Sequence, residues 1–208
     1  MMRIAELWRY PVKSMAGEPL QVADVRETGI VGDRVVQVIN AVGRTMTSRT
    51  KPKLLGYHAT LGADGEPLVD GRPWREVDVR NAAGPDARLV RYDGVERFDV
   101  LPLLVATDGA IAAFGYDGRR LRPNIVISGV NGLDERHWEG KTLRAGEVVI
   151  GIQDLRERCI MTTFDPDTLV QDVEVLLKIR REFDGLLALN CYVIKGGTFR
   201  VGDEIVLS

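Results

Sequence analysis

The sequence is poor in the residues that build covalent or metal-bound frameworks. Its 208 residues include two cysteines, Cys159 and Cys191, and two histidines, His58 and His137. Two cysteines are too few for a disulfide framework, and no CxxC pair indicates a zinc or iron–sulfur site. The histidines lie far apart in the chain, so a histidine-based metal site would need ligands from distant segments. The composition therefore argues against a disulfide-rich scaffold and against a zinc or iron–sulfur protein.

A charge excess of one sign and long apolar runs are also lacking. The chain has 28 basic and 30 acidic side chains, a formal net charge of −2, which does not indicate a general nucleic-acid binder. The longest apolar run, LPLLVA (101–106), is far too short to span a bilayer. The N-terminal stretch has no apolar region of the kind found in signal peptides. We therefore expect a cytoplasmic protein that binds neither nucleic acid nor membrane.

Short alternating apolar segments, separated by glycine-containing turns, make up much of the chain. Hydrophobic residues amount to 45% of the sequence, enough for a substantial core, and there are 22 glycines. The β-branched content of the apolar segments is typical of half-buried strands. Strands are predicted at residues 35–40, 75–80, 87–92, 124–129, 147–153 and 203–208.

Two helices are predicted. The first, over 106–115, has Asp108 as a candidate N-cap and Gly115 as a stop residue. The second covers 172–183 and places Val175, Leu176, Ile179 and Phe183 on one stripe. Many short strands with few helices indicate a mainly β, barrel-like architecture that is α+β overall. A domain boundary is expected near residues 95–101.

Cys159 lies in the stretch RERCIMTTFDPDT (156–168), directly after Arg158 and close to Arg156. Neighbouring cations favour the thiolate, which can be a nucleophile, a sulfur carrier or a soft-metal ligand. A packed structural cysteine is the other interpretation. Nucleophilic catalysis would need a general base, and neither histidine belongs to a recognisable partner motif. Cys191, in the apolar stretch LALNCYVI, is interpreted as a small core residue.

Basic side chains beside Ser, Thr or Asn recur in four separate segments. Arginine and lysine bind oxyanions, so these segments would form an anionic-ligand site if they met at one end of a barrel. A solvated surface explains each segment equally well, and the sequence does not show whether they meet. The candidates are Lys13 and Ser14 in YPVKS, Arg34 in GDR, Arg49 in TMTSRTKPKL (45–54), and Arg122 with Asn124 in RPNIVISG.

Five motifs together resemble those of the MOSC-domain family, named for the C-terminal domain of molybdenum cofactor sulfurase. The pattern is most similar to the mitochondrial amidoxime-reducing components and their bacterial relatives. In chain order the motifs are YPVKS (10–14), GDR (32–34), RPNIVISG (122–129), RCIMTTFDPDT (158–168) and VGDEIVL (201–207). The resemblance covers essentially the whole chain. It implies an N-terminal MOSC β-barrel domain over residues 1–95 and a MOSC domain over residues 96–208.

The resemblance implies that Cys159 is the protein ligand to molybdenum in a pterin cofactor, and that the chain is a molybdenum-dependent oxidoreductase. The implied substrates are small N-hydroxylated or otherwise N-oxygenated compounds, with the redox step at the metal. Asp165 is a candidate catalytic residue that supports the site, and Tyr192 is a second acid–base candidate. Pyridoxal phosphate binding is a further expectation from the family. The residues implied to line the cofactor are Lys13, Ser14, Arg34, Arg49, Arg122, Asn124, Arg158 and Cys159.

In a second interpretation the chain binds the cofactor but does not act as a reductase. Cys159 would carry sulfur as a persulfide, and the chain would be a sulfur carrier or a cofactor-binding module. We expect neither the aminotransferase-like domain of a cofactor sulfurase nor a fused ferredoxin domain, so a reductase would need a separate electron-transfer protein. The sequence departs from the family at Leu169 and Val170, which follow the DPDT turn where glycine is frequent.

Overall fold

Alternation of apolar and polar residues gives the chain its main element type, the β-strand. The computed structural model describes residues 1–92 and 94–208 and, for Val95, the backbone alone. Within this part of the chain there are seventeen strands. In chain order they are β1 (Met2–Arg9), β2 (Glu18–Leu20), β3 (Val22–Arg26), β4 (Gly29–Ile30), β5 (Val36–Ile39), β6 (Thr45–Met46), β7 (Ala59–Leu61), β8 (Pro67–Val69), β9 (Arg72–Pro73), β10 (Arg88–Arg91), β11 (Leu103–Thr107), β12 (Ile125–Ser128), β13 (Thr142–Ala145), β14 (Val148–Glu157), β15 (Leu186–Lys195), β16 (Gly197–Arg200) and β17 (Glu204–Leu207).

Helices are few and short. The α-helices are α1 (Arg80–Ala83), α2 (Asp108–Phe114) and α3 (Glu174–Phe183). Short 3₁₀ helices lie at Pro52–Gly56, Trp74–Glu76, Val95–Arg97, Gly118–Leu121, Asp134–His137 and Ile160–Thr163. Among the described residues, none of these helices has the length and apolar character needed to cross a membrane.

Seven strands form a closed barrel in the order β12-β11-β15-β14-β13-β17-β1, and β1 also pairs with β12 to complete the ring. Neighbouring strands are antiparallel except β11 and β12, which are parallel. Closure leaves no free strand edge in the ring. The interior is filled by one cluster of buried side chains, among them Ile4, Val105, Ile127, Ile150 and Leu189. The mainly β, barrel-like fold predicted from the sequence is confirmed.

Three small sheets lie beside the barrel, in the orders β10-β5-β6, β16-β3-β4 and β7-β8-β9. A second core, with Val12, Val38, Leu54 and Trp74, lies within residues 12–87. The first strand belongs to the barrel itself, because β1 pairs with β12 and with β17. The division of the chain near residue 95 stays a prediction.

Five of the six predicted strands are confirmed, and the strand predicted at 75–80 is wrong. A 3₁₀ helix ends at Glu76, and α1 begins at Arg80. The carboxylate of Asp78 accepts a hydrogen bond from the backbone N of Arg80 at 2.9 Å, a local bond that competes with strand pairing. Val77 and Val79 pack into the second core from this irregular segment, which explains their strand-like alternation.

Both predicted helices are confirmed, with one correction at an N-terminus. The N-cap of α2 is Thr107, whose Oγ1 accepts a hydrogen bond from the backbone N of Ala110 at 3.0 Å. Asp108 instead accepts a hydrogen bond from the backbone N of Gly129 at 2.7 Å, so the prediction of Asp108 as N-cap is wrong. Gly115 ends the helix in the left-handed conformation, as predicted.

A buried carboxyl group lies beside the N-terminus of α2. Oε2 of Glu135 accepts a hydrogen bond from Oγ1 of Thr107 at 3.2 Å, while its buried Oε1 has no hydrogen-bond partner among the described residues. Burial raises the pKa of Glu135 above its ordinary value. The unfolded chain therefore releases this proton at lower pH than the folded chain does. Stability is lost as pH rises from the ordinary glutamate pKa toward the raised one.

We expect Glu135→Gln to reduce this pH dependence, because glutamine keeps the size of the side chain and cannot ionise. Urea unfolding at about pH 5 and about pH 8 would compare the loss of unfolding free energy in the variant and the wild type. Glu139→Gln, at an exposed position, is the matched control and should behave like the wild type. An equal loss in Glu135→Gln and the wild type would contradict the assignment.

Candidate functional site

A cleft opens where β14 ends, between the barrel and residues 98–101. Its empty space is about 770 Å³, part of it open to solvent, which is within the size range of small-molecule sites. Four segments predicted from sequence meet here. The cleft is lined by Cys159 together with six of the predicted residues, Lys13, Ser14, Arg34, Arg122, Asn124 and Arg158.

Cys159 is half-buried and lies two residues beyond the end of β14. Its carbonyl oxygen accepts hydrogen bonds from Oγ1 and the backbone N of Thr162, at 2.9 and 3.1 Å, which start the 3₁₀ helix Ile160–Thr163. The preceding backbone N, of Arg158, donates to the carbonyl oxygen of Gly185 at 2.9 Å. The backbone on both sides of the thiol is therefore held by hydrogen bonds, while the thiol is left at the cleft surface.

Arg49, the seventh predicted residue, lies beside the thiol. Burial acts to lower the pKa of Arg49, but the neighbouring side chains of Cys159 and Asp99 outweigh burial and raise it. Nη2 of Arg49 is 2.7 Å from Oδ2 of Asp99. The structure therefore brings all seven predicted basic and polar residues to the surroundings of Cys159.

Arg122 and Arg158 are half-buried cations with no carboxylate at ion-pair distance within the described part of the chain. Nη2 of Arg122 donates to the carbonyl oxygen of Met15, and Nη2 of Arg158 donates to that of Leu121, each at 2.7 Å. Burial is the main cause that lowers the pKa of each arginine to about 10. Within the part of the chain that the structure describes, the buried Nε of Arg158 has no hydrogen-bond partner. A partly desolvated charge without a counter-ion is unfavourable, so an anionic group in the cleft would stabilise both side chains.

Tyr10 packs against two arginines that line the cleft. The guanidinium of Arg122 lies 4.3 Å from the centre of its ring, and that of Arg34 lies 5.2 Å from it. Arg34 also pairs with the fully buried carboxylate of Asp33. Burial raises the pKa of Tyr10 to about 12, so its hydroxyl is neutral and donates to the carbonyl oxygen of Pro123 at 3.1 Å.

Asn124 lines the cleft but its amide is engaged within the protein. Its Oδ1 accepts a hydrogen bond from the backbone N of Leu104 at 3.2 Å. Its Nδ2 donates to the carbonyl oxygen of Trp8 and to Oδ2 of Asp33, each at 3.3 Å. Asn124 therefore fixes the strands and the carboxylate that holds Arg34.

Backbone strain is concentrated at the cleft. Ser14, Arg34 and Arg122 adopt left-handed φ values of 72°, 55° and 56°. Among the described residues, seven non-glycine residues have positive φ, and these three all line the cleft. Such conformations each cost about 1–3 kcal/mol and are found where a site must be held in a particular geometry.

Asp165 lies outside the cleft lining. Its Oδ1 accepts hydrogen bonds from the backbone N of Thr168 at 2.9 Å and of Asp167 at 3.1 Å, and these bonds, that of Thr168 first, lower its pKa. Its Oδ2 is 3.0 Å from Nη2 of Arg120, whose Nη1 donates to the carbonyl oxygen of Thr163 at 3.0 Å. The geometry therefore assigns Asp165 to the turn after Cys159 rather than to contact with a ligand.

The two remaining residues singled out from sequence lie on β15. Tyr192 is 42% exposed, pairs with Gly151 across the sheet and is not part of the cleft lining. Cys191 is fully buried in the barrel core, and burial raises its pKa. Cys191 is thus a packed core residue, as interpreted from the sequence.

Asp99 is a cleft residue that the sequence analysis missed. Its Oδ1 is 2.9 Å from Nζ of Lys13, and its Oδ2 is 2.7 Å from Nη2 of Arg49 and 3.5 Å from Nη2 of Arg156. Burial acts to raise the pKa of Asp99, but the hydrogen bond and charge of Lys13 and the charges of both arginines lower it. An excess of predicted basic residues requires counter-ions, but no spacing in the sequence identifies Asp99 as one.

Two family matches cover most of the chain. Residues 1–90 match the MOSC N-terminal beta barrel domain, and residues 109–206 match the MOSC domain. The chain belongs to the MOSC-domain family.

Curated relatives match along nearly the whole chain. The chain is 26% identical to mitochondrial amidoxime-reducing component 1 of Homo sapiens, over 98% of this chain and 82% of that protein. It is 25% identical to mitochondrial amidoxime reducing component 2 of Macaca fascicularis, over 97% and 82%. These alignments run over 286 and 282 positions, so the relatives contain segments that this chain of 208 residues lacks. The relatives are named as mitochondrial, and the location of this chain stays a prediction.

Two solved structures share the fold. The YUAD protein of Bacillus subtilis aligns with a TM-score of 0.52 at 14% identity, over 100% of this chain and 96% of that one. A hypothetical protein aligns with a TM-score of 0.51 at 12% identity, over 100% and 67%. At such identities the likeness concerns the fold alone. The expectation of pyridoxal phosphate binding finds no support in any of these matches.

Proposed function

We propose that the chain binds molybdenum cofactor in the cleft, with the Cys159 thiolate as ligand to molybdenum, and reduces small N-hydroxylated or other N-oxygenated compounds. The observation that carries the proposal is the convergence of seven predicted basic and polar residues from separate segments around one half-exposed thiol. Family membership supports the cofactor, and the names of the amidoxime-reducing relatives support the reaction.

The residues of the cleft fit the chemistry of such a cofactor. Six basic side chains line the cleft against two carboxylates, Asp99 and Glu157. Arg122 and Arg158 are half-buried and have no carboxylate at ion-pair distance among the described residues. They would balance the charge of the pterin phosphate, which guanidinium groups bind through paired hydrogen bonds. A thiolate is a soft donor of the kind that a molybdenum–sulfur centre takes.

The protein's own part in the reaction is to hold the thiol and orient the ligands. Arg49 would place a positive charge beside the sulfur of Cys159, and the hydrogen-bonded backbone on either side would fix its position. When bound, the cofactor would supply the redox step, in which two electrons and two protons convert an N–OH group to N–H and release water. A separate electron-transfer protein would provide the electrons, which agrees with the word component in the names of the relatives.

The test is benzamidoxime reduction by the chain purified from a host that makes the cofactor. A chemically reduced viologen dye would supply electrons, and benzamidine would be measured by chromatography. We expect turnover by this protein and none by protein from a host unable to make the cofactor. A molybdenum-loaded chain that does not turn over would refute the reductase. A mass increase of one sulfur atom at Cys159 would then favour the sulfur carrier.

Inorganic phosphate should stabilise the chain when no cofactor is bound, because it can offset the unpaired charges of Arg122 and Arg158. At a concentration about 100-fold above its Kd, phosphate would add about 2.7 kcal/mol and raise the Tm by roughly 5–10 °C. Differential scanning calorimetry against sodium chloride of equal ionic strength measures this. Arg122→Met and Arg158→Met should each reduce the shift. A wild-type shift no larger than that with chloride would contradict the anion site.

A further inference from the structure

One carboxylate in the cleft is shared by three cations that come from separate parts of the fold. Lys13 follows β1, Arg49 follows β6, and Arg156 lies on β14. Their nitrogens are 2.9, 2.7 and 3.5 Å from the carboxylate oxygens of Asp99. Like charges at such short range repel each other, so the arrangement needs an anion at this point. Within the protein, the carboxylate of Asp99 provides this negative charge.

A single carboxylate is a weak match for this position. It carries one negative charge against three positive ones, and the rest of the cleft lining is also predominantly basic. A phosphate group carries up to two negative charges and presents more acceptor oxygens, so it pairs better with several guanidinium and ammonium groups. A phosphate in the cleft would therefore compete with Asp99 for the same three cations.

The segment that carries Asp99 is held to the site largely by those same cations. Residues 98–102 lie between β10 and β11 and form neither helix nor strand. Nζ of Lys13 donates to the carbonyl oxygen of Arg97 at 2.8 Å as well as pairing with Asp99. Val100, next to Asp99, is 49% exposed. Asp99 and Val100 are exposed and lie outside helices and strands, so moving them would break no ladder hydrogen bonds. Local opening is cheapest where few such bonds and apolar contacts are lost.

We propose that Asp99 is an internal counter-ion that an entering phosphate group displaces. Asp99 thereby sets the affinity of the cleft for anions: it lowers affinity for all of them and excludes weakly charged ones. The proposal rests on the anion-binding part of the proposed function, and it needs neither molybdenum nor turnover.

The test measures inorganic phosphate binding by isothermal titration calorimetry, using protein from a host that makes no cofactor. We expect Asp99→Asn, which keeps the shape of the side chain and loses its charge, to bind phosphate about tenfold more tightly than the wild type. Asp78→Asn is the matched control, because it removes one charge from an exposed ion pair with Arg80. It should bind phosphate like the wild type.

Equal or weaker binding by Asp99→Asn would overturn the proposal and make Asp99 a group that positions the cations. A second measurement uses the wild type alone, so it does not depend on the folding of a variant. Saturating phosphate should accelerate amide hydrogen exchange in peptides that span residues 96–102, and unchanged or slower exchange there would also overturn displacement. Molybdenum content is measured separately, so a failure of the cofactor assignment remains distinguishable from a failure of this inference.

Discussion

Cys159→Ser is expected to lower benzamidoxime turnover by roughly a thousandfold or more, because a serine hydroxyl is neither ionised nor a soft donor. The fold should survive the change. The hydrogen bonds that hold this position are made by backbone groups, since Thr162 donates to the Cys159 carbonyl oxygen and the Arg158 backbone donates to Gly185. The free energy of unfolding should therefore stay within about 0.5 kcal/mol of the wild type. Steady-state kinetics and urea unfolding measure the two effects.

The second cysteine provides a matched control with the opposite expectation. Cys191 is fully buried in the barrel, so Cys191→Ser places a hydroxyl in an apolar core and should cost about 1–3 kcal/mol of stability. Turnover per folded, metal-loaded chain should be unchanged. If Cys159→Ser kept more than a tenth of wild-type turnover, the ligand assignment would be wrong.

Arg120→Met is expected to destabilise the chain by about 2–4 kcal/mol. The side chain of Arg120 is 8% exposed, and its Nη1 donates to the carbonyl oxygens of Thr162 and Thr163 at 3.3 and 3.0 Å. Both threonines are buried, so the variant leaves two carbonyl groups without these donors and Asp165 without its ion pair. These residues form the turn directly after Cys159, and cofactor retention should fall along with stability.

Arg119→Met is the neighbouring control for this prediction. Arg119 is 39% exposed and pairs with the exposed carboxylates of Asp117 and Asp167. Exposed ion pairs contribute about 0–1 kcal/mol, so the variant should be nearly as stable as the wild type. Urea unfolding of both variants gives the comparison. Similar small losses in the two would show that the turn is held by something other than Arg120.

The mainly β fold was predictable from sequence because short apolar runs lie between turn signals. β17 alternates between buried and exposed residues, whereas β5 and β12 are buried along nearly their whole length. The failed strand at 75–80 shows the limit of that pattern. Val77 and Val79 alternate correctly, yet a hydrogen bond from the Arg80 backbone to Asp78 turns the segment into a helix start. Closure of the ring through β1 depends on pairing between residues more than a hundred positions apart, which no local pattern contains.

The site residues that could be predicted from sequence are those that belong to recognisable motifs. Cys159 and the segments with Lys13, Arg49 and Arg122 meet, as the family resemblance implied. Asp99 was not predictable, because an aspartate in an irregular segment has no periodicity and its importance comes from three distant cations. Asp165 lies in the most distinctive motif, and its oxygens are engaged by the turn and by Arg120. Its role as a residue that supports the site stays a prediction.

The measurement that tests the central claim most directly is the molybdenum content per chain. Wild type and Cys159→Ser would be purified under mild conditions from a host that makes the cofactor and analysed by inductively coupled plasma mass spectrometry. Pterin would be measured in parallel by the fluorescence of its oxidation products. We predict close to one molybdenum and one pterin per wild-type chain, and little molybdenum in Cys159→Ser. A wild-type chain without molybdenum, or a variant that retains as much as the wild type, would contradict the assignment of Cys159 as the metal ligand.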